Sequence, residues 1–131
     1  MAAHQPDRRR DAGALILSYV IVIPVFMLAV MVMVQASLWY LARQAALAAA
    51  RQGADAARAD NAQPDAGREA ALRFARVAAS AYLRNPAAVV SLTPGQTIQV
   101  KVSGSVPSLV PGVVIDVSQV VQAPVEQFTT P

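Results

Sequence analysis

The sequence predicts an α+β fold with a long N-terminal transmembrane and stalk helix, a second helix and a small antiparallel sheet. Three observations lead to this prediction. An uncharged apolar run lies near the N-terminus, an alanine-rich segment follows it, and the C-terminal part is rich in Val, Thr, Ser, Pro and Gly. A chain of 131 residues has room for one membrane segment and one small domain.

The apolar run extends from Ala14 to Val34. Its 21 residues cover a hydrocarbon core of ~30 Å, because an α-helix rises by about 1.5 Å per residue. The run is hydrophobic on all sides, and the rest of the chain is too small to enclose it as a core helix. Pro24 is tolerated in a membrane helix, which it bends rather than ends. We therefore expect residues 14–36 to form a transmembrane helix.

Basic residues before the run predict its orientation. Arg8, Arg9 and Arg10 precede it, and such residues are retained in the cytoplasm. Residues 1–13 then form a basic cytoplasmic leader, and the C-terminal part lies outside the cytoplasm. The sequence thus predicts a single-pass protein of the bacterial cell membrane, in contact with membrane lipid.

The helix is expected to continue beyond the membrane. Alanine has the highest helix propensity, and the segment after the run contains no proline before Pro64. We expect residues 37–60 to extend the helix, with its end near Arg58. Trp39 and Tyr40 occur where aromatic side chains anchor a helix at the membrane surface.

A cleaved secretory signal is the alternative to an uncleaved anchor. Small residues at Val34 and Ala36 fit a signal-peptidase site, and cleavage there would give a chain that begins at Ser37. However, the apolar run is longer than the ~7–15 residues of an ordinary signal peptide. We therefore favour the anchor.

A second helix is predicted after the turn formers Asp60–Pro64. The side chain of Asp65 is expected to cap it, and Asn85-Pro86 to end it. Apolar residues at helical spacing predict a face made of Phe74, Val77, Ala78, Ala81 and Tyr82. Glu69 and Arg73, on the opposite face, are spaced to form an i,i+4 ion pair. The apolar face needs a partner, either the first helix or a sheet.

Three strands are predicted after the second helix. The segment Thr97–Ser103 alternates strictly, with apolar side chains on one face at Ile98, Val100 and Val102. Ala88–Leu92 and Val113–Val121 are also strand-like and are separated from it by Pro-Gly turns. Residues 65–131 are therefore expected to form a small extracytoplasmic α+β region.

The composition argues against several function classes. His4 is the only histidine and cysteine is absent, so a histidine-based catalytic pair or a thiolate metal site cannot form. The net charge of +3 comes from dispersed arginines without interleaved aromatics, unlike a nucleic-acid site. Asp116 and Glu126 are typical of solvent-facing acids rather than a general acid/base pair. We predict no enzyme activity, cofactor, metal, nucleic acid or small-molecule substrate.

Gly13 is followed by four apolar residues and then by Ser18 and Tyr19. With the basic residues upstream, this arrangement resembles the class III signal of type IV prepilins and pseudopilins. In that signal a basic leader ends in Gly, four residues follow, and the fifth is usually Glu, which precedes an aromatic or apolar residue. Together with Pro24 and the segment from Arg43 to Gly53, it resembles the TadE-like proteins of the Tad (Flp) pilus machinery.

The resemblance implies a pilin-like fold, other pilin-like or Tad subunits as partners, and cleavage between Gly13 and Ala14 by a prepilin peptidase. Ser18 stands where the family usually has Glu, which pairs with the new N-terminal amine of a neighbouring subunit. A serine hydroxyl can donate a hydrogen bond but carries no charge. The alternative for Gly13 is an ordinary helix-start residue without cleavage.

Two functions remain at this point. The first is a membrane-anchored, pseudopilin-like component of Tad/Flp-type pilus assembly or secretion, acting by helix packing and protein-protein contacts. The second is a signal-anchored or secreted envelope protein, unrelated to pili, that binds a ligand through its sheet. The second predicts cleavage after Ala36, or none.

Overall fold

The computed structural model describes residues 8–59, 63–94 and 97–125. Two helices precede three strands: α1 (Arg8–Ala59), α2 (Pro64–Val77), β1 (Arg84–Thr93), β2 (Thr97–Val106) and β3 (Ile115–Pro124). The predicted turn residues Asp60, Asn61, Ala62 and Gly95, together with Glu126, lie outside the described ranges. The predicted α+β fold, with a long apolar helix, a second helix and a three-stranded antiparallel sheet, is confirmed.

The chain divides into two compact units. The first ends at Val34 and the second begins at Gln35. α1 contributes to both, since it continues without a break from Arg8 to Ala59 and passes through Pro24. The second unit holds the rest of α1, α2 and the sheet.

α1 begins earlier than the sequence predicts. Its first residue is Arg8, whereas the predicted transmembrane helix begins at residue 14. Arginine and alanine are good helix formers, and no proline lies between Arg8 and Gly13, so the helix extends into the leader. Its end at Ala59 is one residue past the predicted Arg58.

α2 differs from the prediction at both ends. Gln63 is the N-cap and Pro64 occupies the first turn, so the expected cap at Asp65 is wrong. A proline fits that position because its missing N–H would have no partner there. The helix stops at Val77 rather than at Asn85-Pro86, and a hydrogen-bonded turn through residues 78–83 leads into β1.

The predicted apolar face of α2 is also wrong. Val77 is 78% exposed and Ala78, Ala81 and Tyr82 are exposed, while Phe74 is half-buried. The buried positions are instead the small residues Gly67, Ala71 and Ala75, four residues apart. The prediction assigned the large apolar side chains to the buried face. In the structure, small residues are buried instead, because α2 lies too close to α1 for larger side chains to fit between them.

α1 and α2 approach each other at two glycines. A Cβ atom at Gly53 would lie 2.8 Å from the carbonyl oxygen of Gly67 and 2.9 Å from the Cβ of Ala71. A Cβ at Gly67 would lie 2.7 Å from the carbonyl oxygen of Gly53. These separations are shorter than van der Waals contact, so only glycine fits at either position without a shift of the backbone.

The sheet is an antiparallel meander in the order β1-β2-β3. The register pairs Val90 with Val100 and Val100 with Val121, which places these three side chains on one face. Ile98, Val100 and Val102 are buried, which confirms the alternation predicted for β2. This face meets the two helices and completes the core.

β1 begins before the predicted Ala88. It starts at Arg84, and a register shift between Arg84 and Ala87 accommodates Asn85, whose φ is 49°, and Pro86. β1 lies at the end of the strand order, where a proline is tolerated beside a bulge.

Candidate functional site

The apolar part of α1 is the main candidate surface. Between Ile16 and Ala59 the helix is long and apolar enough to cross a membrane, and none of its most apolar stretch is buried. It is the one such helix in the described part of the chain. Leu17, Phe26 and Met33 are 66%, 67% and 69% exposed. Apolar side chains around the whole helix favour contact with lipid or with other apolar helices.

The residues of the predicted processing site all lie within α1. Gly13, Ser18 and Tyr19 are exposed, and no atom lies within 4 Å of a Cβ built on Gly13. The peptide bond between Gly13 and Ala14 is therefore inside the helix, five residues after its start at Arg8. Cleavage between Gly13 and Ala14 remains a prediction.

The predicted orientation charges occupy the first turn of α1. Arg8, Arg9 and Arg10 are its first three residues. They belong to the same helix as the apolar run. Whether they face the cytoplasm remains a prediction.

The predicted interface anchors lie just beyond the apolar run. Trp39 and Tyr40 are 40% and 58% exposed. The guanidinium carbon of Arg43 lies 5.7 Å from the centroid of the Trp39 ring, within cation–π range. An aromatic ring with a basic partner one turn further along suits the boundary between hydrocarbon and water. Their anchoring role remains a prediction.

Gln35 was not singled out by the sequence, yet it is a connecting residue. Its Nε2 donates a hydrogen bond to the carbonyl oxygen of Pro107 at 3.4 Å, and its Oε1 accepts one from the backbone N–H of Leu109 at 2.9 Å. The two bonds join the start of α1 in the second unit to the β2–β3 loop, residues 107–114. A glutamine at the end of an apolar run is the only sequence signal, and it does not identify a partner 72 residues away.

The outer face of the sheet is mostly polar, although Val89 and Val120 are also exposed on it. A shallow open groove there is lined by Lys101, Ser103, Asp116 and Ser118, among others. Asp116 is exposed, in agreement with its predicted position on a solvent face. The described residues contain no group of three or more His, Cys, Asp or Glu that could hold a metal ion.

Comparison with known proteins identifies one family. No curated protein and no solved structure matches the chain. The family model described as TadE-like protein matches residues 13–55, about a third of the chain. The match begins at Gly13, includes the whole apolar run and ends in the part of α1 that packs against α2. Residues 13–55 are therefore TadE-like, and the family resemblance drawn from Gly13, Ser18 and Tyr19 is confirmed for that segment.

Proposed function

We propose that this protein is a single-pass membrane component of a Tad-type pilus or secretion machine. The observation that carries the proposal is a coincidence of positions. The TadE-like match over residues 13–55 contains the helix that is long and apolar enough to span a membrane. The match also extends to residue 55, into the part of α1 that belongs to the second unit.

In the proposed topology the N-terminus is cytoplasmic and the second unit is extracytoplasmic. Three consecutive arginines precede the run, whereas the first basic residue after it is Arg43, whose guanidinium covers Trp39. Clustered arginines close to a membrane helix favour the cytoplasmic side. An arginine above a tryptophan ring is compatible with the external headgroup layer.

The protein acts by packing and protein contacts rather than by catalysis. Its apolar helix offers a surface to other pilin-like helices in the membrane, and its second unit contacts other Tad subunits. Support comes from the exposed side chains of the run, which another helix can cover as well as lipid can. The lone histidine and the absence of cysteine leave few groups for acid/base or nucleophilic chemistry.

A prepilin peptidase is proposed to cleave after Gly13. The TadE-like match begins at this residue, and open space surrounds it. Because the scissile bond lies inside α1, the peptidase must unwind the first turns before it can cut. Glycine lowers the cost of that unwinding, since it is a poor helix former.

The experiment is the intact mass and N-terminal sequence of the membrane-extracted protein, from cells with and without the prepilin peptidase. A mature chain that begins at Ala14 only when the peptidase is present supports the pseudopilin role. A chain that begins at Ser37 overturns the membrane anchor. An uncut chain in both strains overturns the processing step. Gly13→Leu is the matched variant, because it removes the recognised residue without a steric clash.

The pilus role is tested by photo-crosslinking at Val22 in cells with an intact Tad machine. Val22 is 56% exposed on the apolar run. A crosslink to a pilin-like or Tad subunit supports the proposal. The matched position is Val89 on the outer face of β1, which reports contacts of the second unit instead. Crosslinks to lipid alone at Val22, with no Tad subunit at either position, would contradict it.

A further inference from the structure

The β2–β3 loop carries several apolar side chains that are exposed. Four of its side chains, Leu109, Val110, Val113 and Val114, are between 44% and 73% exposed. No charged residue occurs between Lys101 and Asp116 in the sequence. Soluble proteins seldom present contiguous apolar side chains on a loop without an interaction partner.

The backbone of the loop is fixed by its own hydrogen bonds. The N–H of Val113 donates to the carbonyl oxygen of Val110 at 3.3 Å, and between them Pro111 is followed by Gly112 at φ 81°. Proline followed by glycine with positive φ is the pattern of a type II turn. The N–H of Val110 also donates to the Oγ of Ser108 at 3.1 Å. These bonds define the conformation of the loop backbone that carries the exposed apolar side chains.

The loop is tied to the helix at a particular level. Both polar atoms of the Gln35 side chain bond to the loop backbone, at Pro107 and Leu109. Gln35 directly follows Val34, the last residue of the apolar run. Trp39, expected to mark the membrane boundary, is one helical turn further along, or about 6 Å. The loop is therefore bonded to the residue that directly follows the apolar run.

We propose that the β2–β3 loop inserts Leu109, Val110, Val113 and Val114 into the headgroup–acyl boundary of the membrane leaflet next to Gln35. The occupant of this apolar surface is lipid, because the loop is bonded to Gln35, which directly follows the apolar run in sequence, and because no charged residue occurs in the loop. Trp39 and Tyr40 supply the amphipathic rings on the helix side of the same layer. The membrane then holds the second unit at two points, the helix and the loop. This inference rests on the membrane anchoring stated under Proposed function.

The test uses single cysteines, since the chain has none of its own. Leu109→Cys and Val114→Cys are labelled with an environment-sensitive fluorophore in the full chain and reconstituted into phosphatidylcholine vesicles. The lipids carry a nitroxide quencher either near the headgroup or near the end of the acyl chain. Ile21→Cys reports insertion of the apolar run, and Val89→Cys is the matched exposed valine on the outer face of the sheet.

We expect labels at Leu109 and Val114 to be quenched at least about twofold by the shallow nitroxide and less by the deep one, as interfacial residues are. The label at Ile21 is expected to be quenched most by the deep nitroxide, and the label at Val89 by neither. Quenching at Ile21 without quenching in the loop overturns the inference and leaves the membrane anchor intact. No quenching at Ile21 overturns the anchor, and the inference with it.

Two further measurements test whether Gln35 holds the loop and whether a second copy of the chain, rather than lipid, covers it. In a Gln35→Ala background, quenching at Leu109 is expected to fall while quenching at Ile21 stays the same. Gln52→Ala, an exposed glutamine on the same helix, is the control. Unchanged quenching with Gln35→Ala overturns the tether. Spontaneous disulfide formation between two copies of Val114→Cys, without shallow quenching, would assign the loop to a second copy of the chain and overturn the lipid contact.

Discussion

In the first unit, α1 exposes large apolar side chains on every side, whereas in the second unit the buried positions of the same helix are all alanine or glycine. The difference follows from what surrounds each part. Lipid or other helices can solvate Leu, Ile, Val, Phe and Met, so size is useful where the helix is exposed. In the second unit a neighbouring helix comes within backbone contact, so only small residues fit.

As a consequence, most of the large apolar residues of this chain are not in its buried core. Among the described residues, the largest fully buried side chains are those of Leu83, Ile98, Val100 and Val102, and all belong to the second unit. Most of the exposed large apolar side chains lie on the first unit, whose part of α1 is long and apolar enough to span a membrane. Substitutions in the two units should therefore fail in different ways, by loss of insertion in one and by loss of packing in the other.

The largest effect is expected from charges in the first unit. Ile21→Asp combined with Val25→Asp should remove the chain from the membrane, because the two changes together cost about 7 kcal/mol of insertion free energy at a helix centre. The measurement is the fraction of protein that stays in the membrane pellet after alkaline carbonate extraction. Retention of the double variant at the level of the original chain would contradict a spanning helix.

The matched control for this variant is Val89→Asp combined with Val120→Asp. Both valines are exposed on the outer sheet face, and the register places each of them opposite Lys101. Two acids beside a lysine on a solvated face should change stability by less than about 1 kcal/mol in total. A membrane defect in this control would show that the outer face also takes part in insertion.

A smaller but clear effect is expected from the few large side chains of the second unit. Leu83 is 1% exposed, and its Cδ1 lies 2.7 Å from the position of a Cβ built on Gly104, so it fills the space that the glycine leaves. Leu83→Ala should lower the free energy of unfolding by about 3 kcal/mol through lost burial and a cavity. Hydrogen exchange of the β2 amides in detergent measures it.

Leu92→Ala is the control for the cavity. Leu92 is 50% exposed on β1, so its truncation should cost less than about 1 kcal/mol. Equal effects of the two truncations would mean that Leu83 is not part of a packed core.

The crossing of the two helices should tolerate substitution poorly. Gly53→Ala gains about 1 kcal/mol in helix propensity, but its Cβ would meet the carbonyl oxygen of Gly67 at 2.8 Å. Overpacking costs roughly 1–3 kcal/mol, so we expect a net loss of about 1 kcal/mol. Gly13→Ala, where open space surrounds the added Cβ, should not destabilise the helix. Amide exchange in α2 measures the effect of Gly53→Ala, and amide exchange in α1 near residue 13 measures that of Gly13→Ala.

Gly67→Ala provides the second arm of the same test. Both glycines hold the helices at the same point, so the backbone shift caused by one substitution should make room for the other. The double variant is therefore expected to lose less than the two single variants added together. Additive losses would show that the two sites are independent, which the short contacts between them do not allow.

The sequence predicts the elements of this fold better than their faces. The strand around Val100 alternates with period two, which puts Ile98, Val100 and Val102 on one face, and these three residues are buried, so the pattern and the structure agree. The prediction for the buried face of α2 was wrong because it selected large apolar residues such as Phe74 and Val77, whereas the buried residues are small. Large apolar residues are usually the buried ones in a core, but Gly67 and Ala71 are buried because the backbone of α1 at Gly53 lies directly against them.

In the candidate site, too, some features could be predicted from the sequence and others could not. Gly13, Ser18 and Tyr19 are close in sequence, so their arrangement in one helix follows from local pattern alone. The bond between Gln35 and Leu109 depends on how β2 and β3 pack beside α1, and no local pattern encodes a contact across 74 residues. The sequence shows that residues 107–114 are apolar, but it does not show that this loop bonds to Gln35 of α1.

The smallest effect is expected on the solvated face of α2, where Arg73 donates to Glu69 at 3.1 Å as predicted. Their side chains are 70% and 76% exposed, so water and salt screen the pair. Glu69→Gln should cost only about 0.2–0.5 kcal/mol at low salt and nothing measurable at high salt. A double-mutant cycle with Arg73→Gln separates the pair from the single changes. A coupling above about 1 kcal/mol that persists at high salt would mean that the pair is shielded from water, and that this face of the second unit is covered when the protein is in its membrane.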